Sequence, residues 1–315
     1  MSGLDPIILF FLFGVAAGLA RSELRLPSQI YDFVSMVLLL TIGLKGGVEL
    51  NQQPFLSLLP QILIVALAGF LIPFVLYPIL KSVGRFSRAD SASIAAHYGS
   101  VSVGTFAVAV AYLGSLGIEY EQHMALFVVI LEIPAILIGV ILAKGLTSGT
   151  RWGKVSHEVF LGKGVLLLVG GLVIGWISGP ERLSSITPLF FDLFHGVLAL
   201  FLLEMGLIAS YQIGSLRKHG LFLACFGIVV PLILGVVGAV MGHWLGFSAG
   251  GAAILATLFA SCSYIAVPAA MRISVPEANP TLSLAASLGV TFPFNIIIGI
   301  PLYYQLSTYL EPFLG

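Results

Sequence analysis

The chain has 315 residues, of which 58% are hydrophobic and 9% are charged, and its 14 basic residues balance its 14 acidic ones. Soluble globular domains carry about 25% charged residues, so the composition excludes a protein of that class. It predicts an all-α polytopic membrane protein, and no nucleic-acid partner is expected.

Ten apolar segments can be placed along the chain, separated by charged or Gly/Pro-rich breaks. A helix needs about 20 apolar residues to cross the hydrocarbon core of a bilayer. The sequence therefore predicts about ten transmembrane helices. They lie near residues 4–20, 30–44, 56–80, 91–113, 123–143, 162–177, 189–207, 221–245, 249–271 and 281–304.

The basic residues give a second test of this helix count, because Lys and Arg concentrate in cytoplasmic loops. When alternate loops are assigned to one side, that side, here called the basic face, receives all but two of the 14 basic residues. Lys45 and Arg182 fall on the opposite side, where Glu119 and Glu121 make one loop acidic. Both termini are then expected on the outer face. The basic face holds Arg21, Arg25, Lys81, Arg85, Arg88, Lys144, Arg151, Lys154, Lys163, Arg217, Lys218 and Arg272.

The two halves of the chain also resemble each other weakly. Three pairs of segments match at separations that drift only from 163 to 159 residues: 38–44 with 201–207, 100–102 with 261–263, and 132–134 with 291–293.

Each half has an odd number of helices, five. The second half is therefore expected to cross the membrane in the inverted orientation relative to the first, as in many secondary transporters. The sequence thus predicts a first repeat at residues 1–145, a cytoplasmic linker at 146–162 and an inverted second repeat at 163–315.

Short polar interruptions occur at matching places in the two halves, at residues 99–105 and 261–268. Such interruptions are typical of broken helices, whose free amino ends favour anions and whose carbonyl ends favour cations. The alternative is that small residues only allow close helix packing. The candidate substrate-binding residues are Gly99, Ser100, Ser102, Gly104, Thr105, Ser261, Ser263 and Tyr264.

A cation site is predicted from three oxygen-bearing side chains beside prolines. Glu132 precedes Pro134, and its counterpart Thr291 precedes Pro293 and Asn295. Carboxylate, hydroxyl and amide oxygens are the ligands that hard cations prefer, so Glu132, Thr291 and Asn295 are the candidate sodium ligands. The alternative for Glu132 is a hydrogen bond to a neighbouring hydroxyl.

Three further polar residues lie in or at the ends of the apolar segments. Lys45 and Glu204 occupy corresponding places in the two repeats and are expected either to form a structural ion pair or to serve transport. His97, beside the first interruption, is either a proton-sensitive gate or a histidine that is hydrogen-bonded in a helix interface.

No nucleophile with a matching base and no phosphate-binding glycine loop occurs in the sequence. An enzyme is therefore not expected, and no cofactor is predicted beyond a coupling ion.

Several stretches resemble a known family. They are LLLTIGLKGG at 38–47, GSVSVGTFAVA at 99–109, EIPA at 132–135, the segment 206–218, and the segment 261–305 with PEANP at 276–280 and GIPLY at 299–303. In these stretches the chain resembles the sodium-dependent bicarbonate transporters first associated with cyanobacteria, together with their bacterial relatives.

The resemblance implies ten helices in two inverted repeats, with a core unit that carries the substrate beside a gate unit. It also implies sodium-coupled uptake of bicarbonate across the bacterial inner membrane, a homotrimer and, for some members, inhibition by a PII-like protein at the cytoplasmic face. The substrate-contacting breaks of the family correspond here to residues 99–105 and 261–268.

The chain departs from the family pattern within the second interruption. The cyanobacterial transporters have a segment similar to SSSDISGPP where this chain has ASCSYIAVP at 260–268, so Tyr264 replaces a carboxylate. Lys45 replaces a neutral hydroxyl, Glu204 replaces an aliphatic residue, and the central loop is shorter.

The sequence therefore predicts a secondary active transporter for sodium-coupled uptake of bicarbonate or a similar small anion. One alternative is a proton- or sodium-coupled transporter of another small organic or inorganic anion. The other is a membrane sensor that binds an ion or partner protein without transport.

Overall fold

The computed structural model of the chain describes residues 6–52, 55–145 and 152–314. These residues form helices and connecting turns, and no strand occurs among them. The helices are α1 (Pro6–Leu19), α2 (Ser28–Gln52), α3 (Leu59–Ser82), α4 (Arg88–Gly99), α5 (Val103–Ser115), α6 (Met124–Lys144), α7 (Trp152–Leu161), α8 (Lys163–Arg182), α9 (Phe194–His219), α10 (Leu221–Trp244), α11 (Ala249–Ala260), α12 (Ala266–Ser274) and α13 (Pro280–Leu314).

Eight helical segments in the described ranges are long and apolar enough to cross a membrane, one of them being α4 and α5 taken together. The predicted segments at 4–20 and 249–271 instead contain shorter apolar helices, α1 and α11. The chain is a multi-pass membrane protein. The count of ten helices remains a prediction.

Four helices form a unit in which each half of the chain packs against the other. Helix α1 runs along α9 and α2 runs along α8, and these are the two most extensive helix contacts in the protein. A Cβ placed on Gly43 would lie 3.0 Å from the Cα of Gly171, and a Cβ on Gly206 would lie 3.0 Å from the Cα of Gly14. Small residues on both faces therefore let the backbones touch. We call α1, α2, α8 and α9 the four-helix unit.

The other long helices form a central unit, made of α3 to α6 and α10 to α13. Helix α3 packs on α4 and α6, and α10 packs on α11 and α13. All residues at 91–99 in α4 and at 250–260 in α11 are buried. Because protein encloses both helices, each can end inside the membrane without exposing its free backbone groups to lipid.

Helix α13 contains two π-helical segments, Ser287–Thr291 and Asn295–Gly299, on either side of Pro293. Proline lacks a backbone N–H and pushes away the carbonyl one turn earlier, and such widened turns are common near functional sites. They hold Thr291 and Asn295, two of the candidate sodium ligands.

The predicted linker at 146–162 includes a helix. Residues 146–151 lie outside the described ranges, and α7 covers most of the remainder and contacts α8 and α12. The division into two repeats and a linker remains a prediction.

Candidate functional site

The first predicted interruption is confirmed as a break between α4 and α5. Helix α4 ends at Gly99, and Ser100 takes an extended backbone with φ of −96° and ψ of −177°. Ser102 then caps α5, because its Oγ accepts the amide of Thr105 at 3.0 Å. A serine in this position satisfies one of the free amides of a helix start, so the sequence itself fixes where α5 begins.

The second predicted interruption is confirmed as a break between α11 and α12. Helix α11 ends at Ala260, and Ser261 is again extended. Ser263 Oγ accepts the amide of Val267 at 3.2 Å, in the first turn of α12. Pro268 also lies in this turn, where the missing N–H of proline costs nothing.

Hydrogen bonds join the two breaks. The amide of Ser102 donates to Ser261 Oγ at 2.9 Å, and the amide of Ser263 donates to the carbonyl oxygen of His97 at 2.8 Å. Each break thus binds the other half of the chain. We call this junction, residues 99–105 together with 261–268, the crossing.

The electrostatics of the crossing favour an anion. The amino ends of α5 and α12 lie in it, and the first amides of a helix carry a partial positive charge without an acceptor in the helix. None of the residues in 99–105 or 261–268 is acidic or basic. A small oxyanion would therefore meet backbone amides and hydroxyl groups without a competing carboxylate.

One hydroxyl group of the crossing, Ser100 Oγ, is available to a ligand, since it is buried and has no hydrogen-bond partner among the described residues. The Tyr264 hydroxyl lies against Ser102 and Gly104, and the Tyr264 ring meets Phe292 edge-on with centroids 5.4 Å apart. Buried hydroxyl groups are normally paired, so Ser100 marks a place where a polar ligand would be stabilised.

The crossing is covered by side chains from the four-helix unit. A Cβ added to Gly104 would collide with the Tyr264 hydroxyl and would lie 2.7 Å from the ring of Phe201. Phe201 of α9 stacks on Tyr31 of α2 with centroids 5.9 Å apart. The candidate substrate site therefore lies at the boundary between the central unit and the four-helix unit.

Two of the three candidate sodium ligands, Thr291 and Asn295, form hydrogen bonds near the ends of α4 and α11. Thr291 Oγ1 donates to the carbonyl oxygen of Gly227 at 2.7 Å, and the hydroxyl of Tyr98 lies 2.7 Å from the same Oγ1. Because Thr291 has one hydroxyl hydrogen, Tyr98 is the donor in the second contact.

Asn295 is held in a similar way at the end of α11. Its Nδ2 donates to the carbonyl oxygen of Ala260 at 2.8 Å, and its Oδ1 accepts the hydroxyl of Tyr303 at 3.0 Å. The residue thus binds the last carbonyl before the second break.

Glu132 differs from these two residues. It is 4% exposed, and its Oε2 has no hydrogen-bond partner among the described residues. Ala135, one turn further along α6, packs against Gly99 at the end of α4. No hydrogen bond in the described ranges joins Glu132 to Thr291 or Asn295. A buried carboxylate of this kind carries its charge only when a cation joins it.

Tyr98 and Tyr303 were not predicted from the sequence, although both support the candidate ligands. Each is 1% exposed inside an apolar helix. A buried tyrosine needs a partner for its hydroxyl, and this need was the signal available in the sequence.

The ion pair expected between Lys45 and Glu204 is absent from the described structure. Glu204 Oε2 instead accepts the amide of Leu26 at 3.0 Å. Lys45 Nζ lies over the ring of Phe194, 4.4 Å from its centroid. Glu204 thus lies near the start of α2, whereas Lys45 lies in the second half of α2, beside the start of α9.

Lys45 lines a cavity of about 520 Å³ between α2, α5 and the start of α9. Glu49, Glu119, Tyr120, Gln122 and His195 also line it. It lies beside the acidic loop at Glu119, which the basic residues predict to face outward. We call it the outer vestibule.

His97 is hydrogen-bonded within its own helix. Its Nδ1 lies 2.7 Å from the carbonyl oxygen of Ser93, and its Nε2 has no partner among the described residues. This contact lies within one helix, so it is not the hydrogen bond across a helix interface that was one of the two expectations. The role of His97 as a proton-sensitive gate stays a prediction.

The family model of the Na⁺-dependent bicarbonate transporter superfamily matches residues 6–308. The match covers both breaks and both halves of the chain, and it confirms the resemblance found in the sequence. A search of curated proteins returned no match to the chain.

Proposed function

The chain belongs to the Na⁺-dependent bicarbonate transporter superfamily, and from this membership we propose that it is a secondary active transporter for sodium-coupled uptake of bicarbonate or a similar small anion. The observation that carries the proposal is the crossing. There, two helix amino ends and several hydroxyl groups meet without an acidic or basic side chain.

The substrate anion binds at the crossing in this proposal. Amides at the starts of α5 and α12 provide the positive potential, and hydroxyl groups of the serines and Tyr264 complete the contacts. The proposed substrate-binding residues are Gly99, Ser100, Ser102, Gly104, Thr105, Ser261, Ser263 and Tyr264.

The coupling cation binds beside the crossing. Glu132 supplies the charge, and Thr291 and Asn295 supply neutral oxygen ligands for Na⁺. Support comes from the unpaired Oε2 of Glu132 and from the hydrogen bond that places Asn295 at the end of α11. Moving one anion into a cell that is negative inside costs about 2.3 kcal/mol per 100 mV, and one accompanying Na⁺ removes this cost.

The architecture proposed for transport is ten helices in two inverted repeats. The reciprocal packing of α1 on α9 and of α2 on α8 supports an inverted repeat, since each half repeats the contact pattern of the other. The central unit would act as the core that carries the substrate, and the four-helix unit as the gate.

The membrane placement that we propose rests on the distribution of the basic residues. With the basic face in the cytoplasm, both termini lie on the outer side of a bacterial inner membrane. A homotrimer and a PII-like regulator at the cytoplasmic face are also proposed, on the resemblance to the family.

Uptake of labelled bicarbonate into liposomes, with and without an inward sodium gradient, tests the proposal. We expect sodium-dependent uptake by the wild-type chain, and reduced uptake by Ser102→Ala and Ser263→Ala variants that remain folded. Folded protein without sodium-dependent uptake would overturn the substrate assignment. Unchanged kinetics in both variants would favour a packing role for the small residues.

A second candidate function is transport of another small anion with proton or sodium coupling. It is favoured by one observation, the replacement of the family carboxylate by Tyr264. Competition by other anions and replacement of the sodium gradient by a proton gradient would identify it. Binding in liposomes without turnover would instead indicate a sensor.

A further inference from the structure

The outer vestibule ends before it reaches the crossing. Val110 of α5 and Phe194 of α9 belong to its lining, and none of the described residues that line it belongs to 99–105 or 261–268. Val110 and Gly104 are six positions apart in α5, which corresponds to a rise of about 9 Å. Between one and two turns of helix therefore separate the open space from the candidate substrate site.

Helix α9 spans the same separation on the facing side. Phe194 lines the vestibule, and the ring of Phe201 lies 2.7 Å from the position of a Cβ on Gly104. These two phenylalanines are seven positions apart, a rise of about 10.5 Å. Helix α5 thus runs from the crossing toward the vestibule, and α9 runs from the vestibule toward the crossing.

Buried side chains fill the interval between the two places. In a helix, residues three, four and seven positions apart share a face, so Leu198 lies on the face of α9 that carries Phe194 and Phe201. Ala107 lies in the same way on the face of α5 that carries Val110. Leu198 and Ala107 are both 0% exposed and Phe201 is 2% exposed. No open space therefore occurs at their level.

Phe201 is oriented by its own unit and closes on the other one. Its ring stacks on Tyr31 of α2 with an angle of 14° between the ring planes. The hydroxyl of Tyr31 in turn donates to Met205 Sδ, one turn further along α9, at 3.8 Å. The edge of the Phe201 ring meets Gly104 of the central unit, where no side chain is present to keep it away. This contact joins the four-helix unit to the central unit.

An apolar constriction of this kind stops a small anion. Leu198, Phe201 and Ala107 have no side-chain group that could replace the hydrogen bonds of the water around the ion. Hydrophobic constrictions close ion pathways in this way because water does not fill them. An anion in the vestibule can therefore reach the crossing only after these side chains have moved apart.

We propose that Phe201, together with Leu198 one turn closer to the vestibule, is the outer gate of the crossing. The gate closes the path between the outer vestibule and the candidate substrate site, and a shift of α9 relative to α5 opens it. The inference rests on the proposed function, because it concerns access to the proposed substrate site. It assigns Phe201 a role in access and not in binding the anion.

Labelling of single cysteines along α5 tests the proposal. The full-length chain carries Cys225→Ala and Cys262→Ala to remove the two free cysteines of the described ranges. It also carries either Val110→Cys, in the vestibule, or Val103→Cys, on the same face at the crossing. A charged thiol reagent that does not cross membranes is added outside intact cells. We expect Val110→Cys to react readily and Val103→Cys to react slowly.

Adding Phe201→Ala should open the path. A buried phenyl ring contributes more than the free energy that changes an equilibrium tenfold, so Val103→Cys should react at least about tenfold faster. Phe201→Leu should keep most of the protection. Phe194→Ala is the matched control, because it removes the same side chain from the same face of α9 at the level of the vestibule. It should leave Val103→Cys slow.

Three results would overturn the gate. One is equal reaction of Val103→Cys and Val110→Cys while Phe201 is intact, and another is no reaction at Val110→Cys. The third is an equal effect of Phe201→Ala and Phe194→Ala, or no effect of either. Thiols counted after denaturation, together with thermal unfolding, show that each variant is folded. Leu198→Ala replaces Phe201→Ala if the latter does not fold, and it should also speed the reaction of Val103→Cys.

The outcomes also separate this inference from the proposed function, since labelling needs no transported substrate. Protection of Val103→Cys that depends on Phe201, in a protein without sodium-dependent bicarbonate uptake, would keep the gate and overturn the substrate assignment. Sodium-dependent uptake by a chain in which Val103→Cys is unprotected would keep the proposed function and overturn the gate.

Discussion

The backbone amide of Ser102 donates a hydrogen bond of 2.9 Å to Ser261 Oγ, so one serine hydroxyl joins the interrupted helices of the two halves of the chain. The same hydroxyl donates to the carbonyl oxygen of Leu258 at 2.8 Å. The Ser261 hydroxyl therefore donates one hydrogen bond and accepts another at the same time. The two breaks are held together by a residue that was predicted to bind substrate.

Ser261→Ala should destabilise the protein and impair uptake. The change leaves the buried amide of Ser102 without an acceptor, and such a loss costs about 1–3 kcal/mol of unfolding free energy. Thermal unfolding in detergent measures the stability. Ser210→Ala is the matched control, because Ser210 Oγ donates to the Leu207 carbonyl in α9 and leaves no amide unpaired. Equal losses in the two variants would contradict the role given to Ser261.

Gly104→Ala should abolish most uptake. The added methyl group would collide with the Tyr264 hydroxyl and the Phe201 ring, and overpacking of this kind typically costs about 1–3 kcal/mol. Adding Tyr264→Phe, which removes the hydroxyl that the methyl group would meet, should restore part of the stability. A double-mutant cycle measures this coupling, and strictly additive effects would show that the two residues do not interact.

Lys45→Gln should raise the KM for the anion about two- to threefold at low ionic strength, as expected for one charge acting through water over several ångströms. Lys45 lines the outer vestibule, where its charge attracts an approaching anion. The effect should fade with added salt and leave kcat unchanged. Lys163→Gln, which breaks an exposed pair with Asp32, is the control. A loss of kcat that persists at high salt would contradict a role in attraction.

Acidification should destabilise the folded protein through protonation of His123, which follows the acidic loop of Glu119 and Glu121. Burial lowers the pKa of His123, and the charges of Glu121 and Glu49 offset this only in part. The unfolded chain therefore takes up the proton first, and stability is lost as the pH falls below about 6.5. His123 packs between Phe127 and Phe247, so His123→Phe should keep the packing and reduce the loss.

The midpoint of thermal unfolding, measured across this pH range for wild type and variant, checks the prediction. His195→Gln is the control, because His195 is exposed at the outer vestibule. The interpretation fails if His123→Phe and wild type lose stability equally as the pH falls.

The breaks could be predicted from the sequence because they depend on local chemistry. Serine and glycine in an apolar segment weaken a helix and offer caps. Ser102 does cap α5, and Ser263 Oγ accepts an amide in the first turn of α12. The repeated register added independent support. The family could also be identified, since its motifs span both halves.

Long-range partners could not be predicted in this way. The contact between Tyr98 and Thr291 joins residues 193 positions apart, and nothing in either segment specifies the other. The expected pair of Lys45 and Glu204 was wrong for a similar reason. Corresponding places in the two repeats do not imply proximity, and each residue found a nearer partner in an aromatic ring or a backbone amide.

The glycine contacts between α1 and α9 and between α2 and α8 have a consequence for biosynthesis. Ribosomes make the amino-terminal half first, so α1 and α2 enter the membrane before either of their partners exists. Their glycine-lined faces stay unmatched until α8 and α9 have been inserted. The first half of the chain therefore cannot make these two contacts by itself, and the four-helix unit is complete only once α8 and α9 are in the membrane.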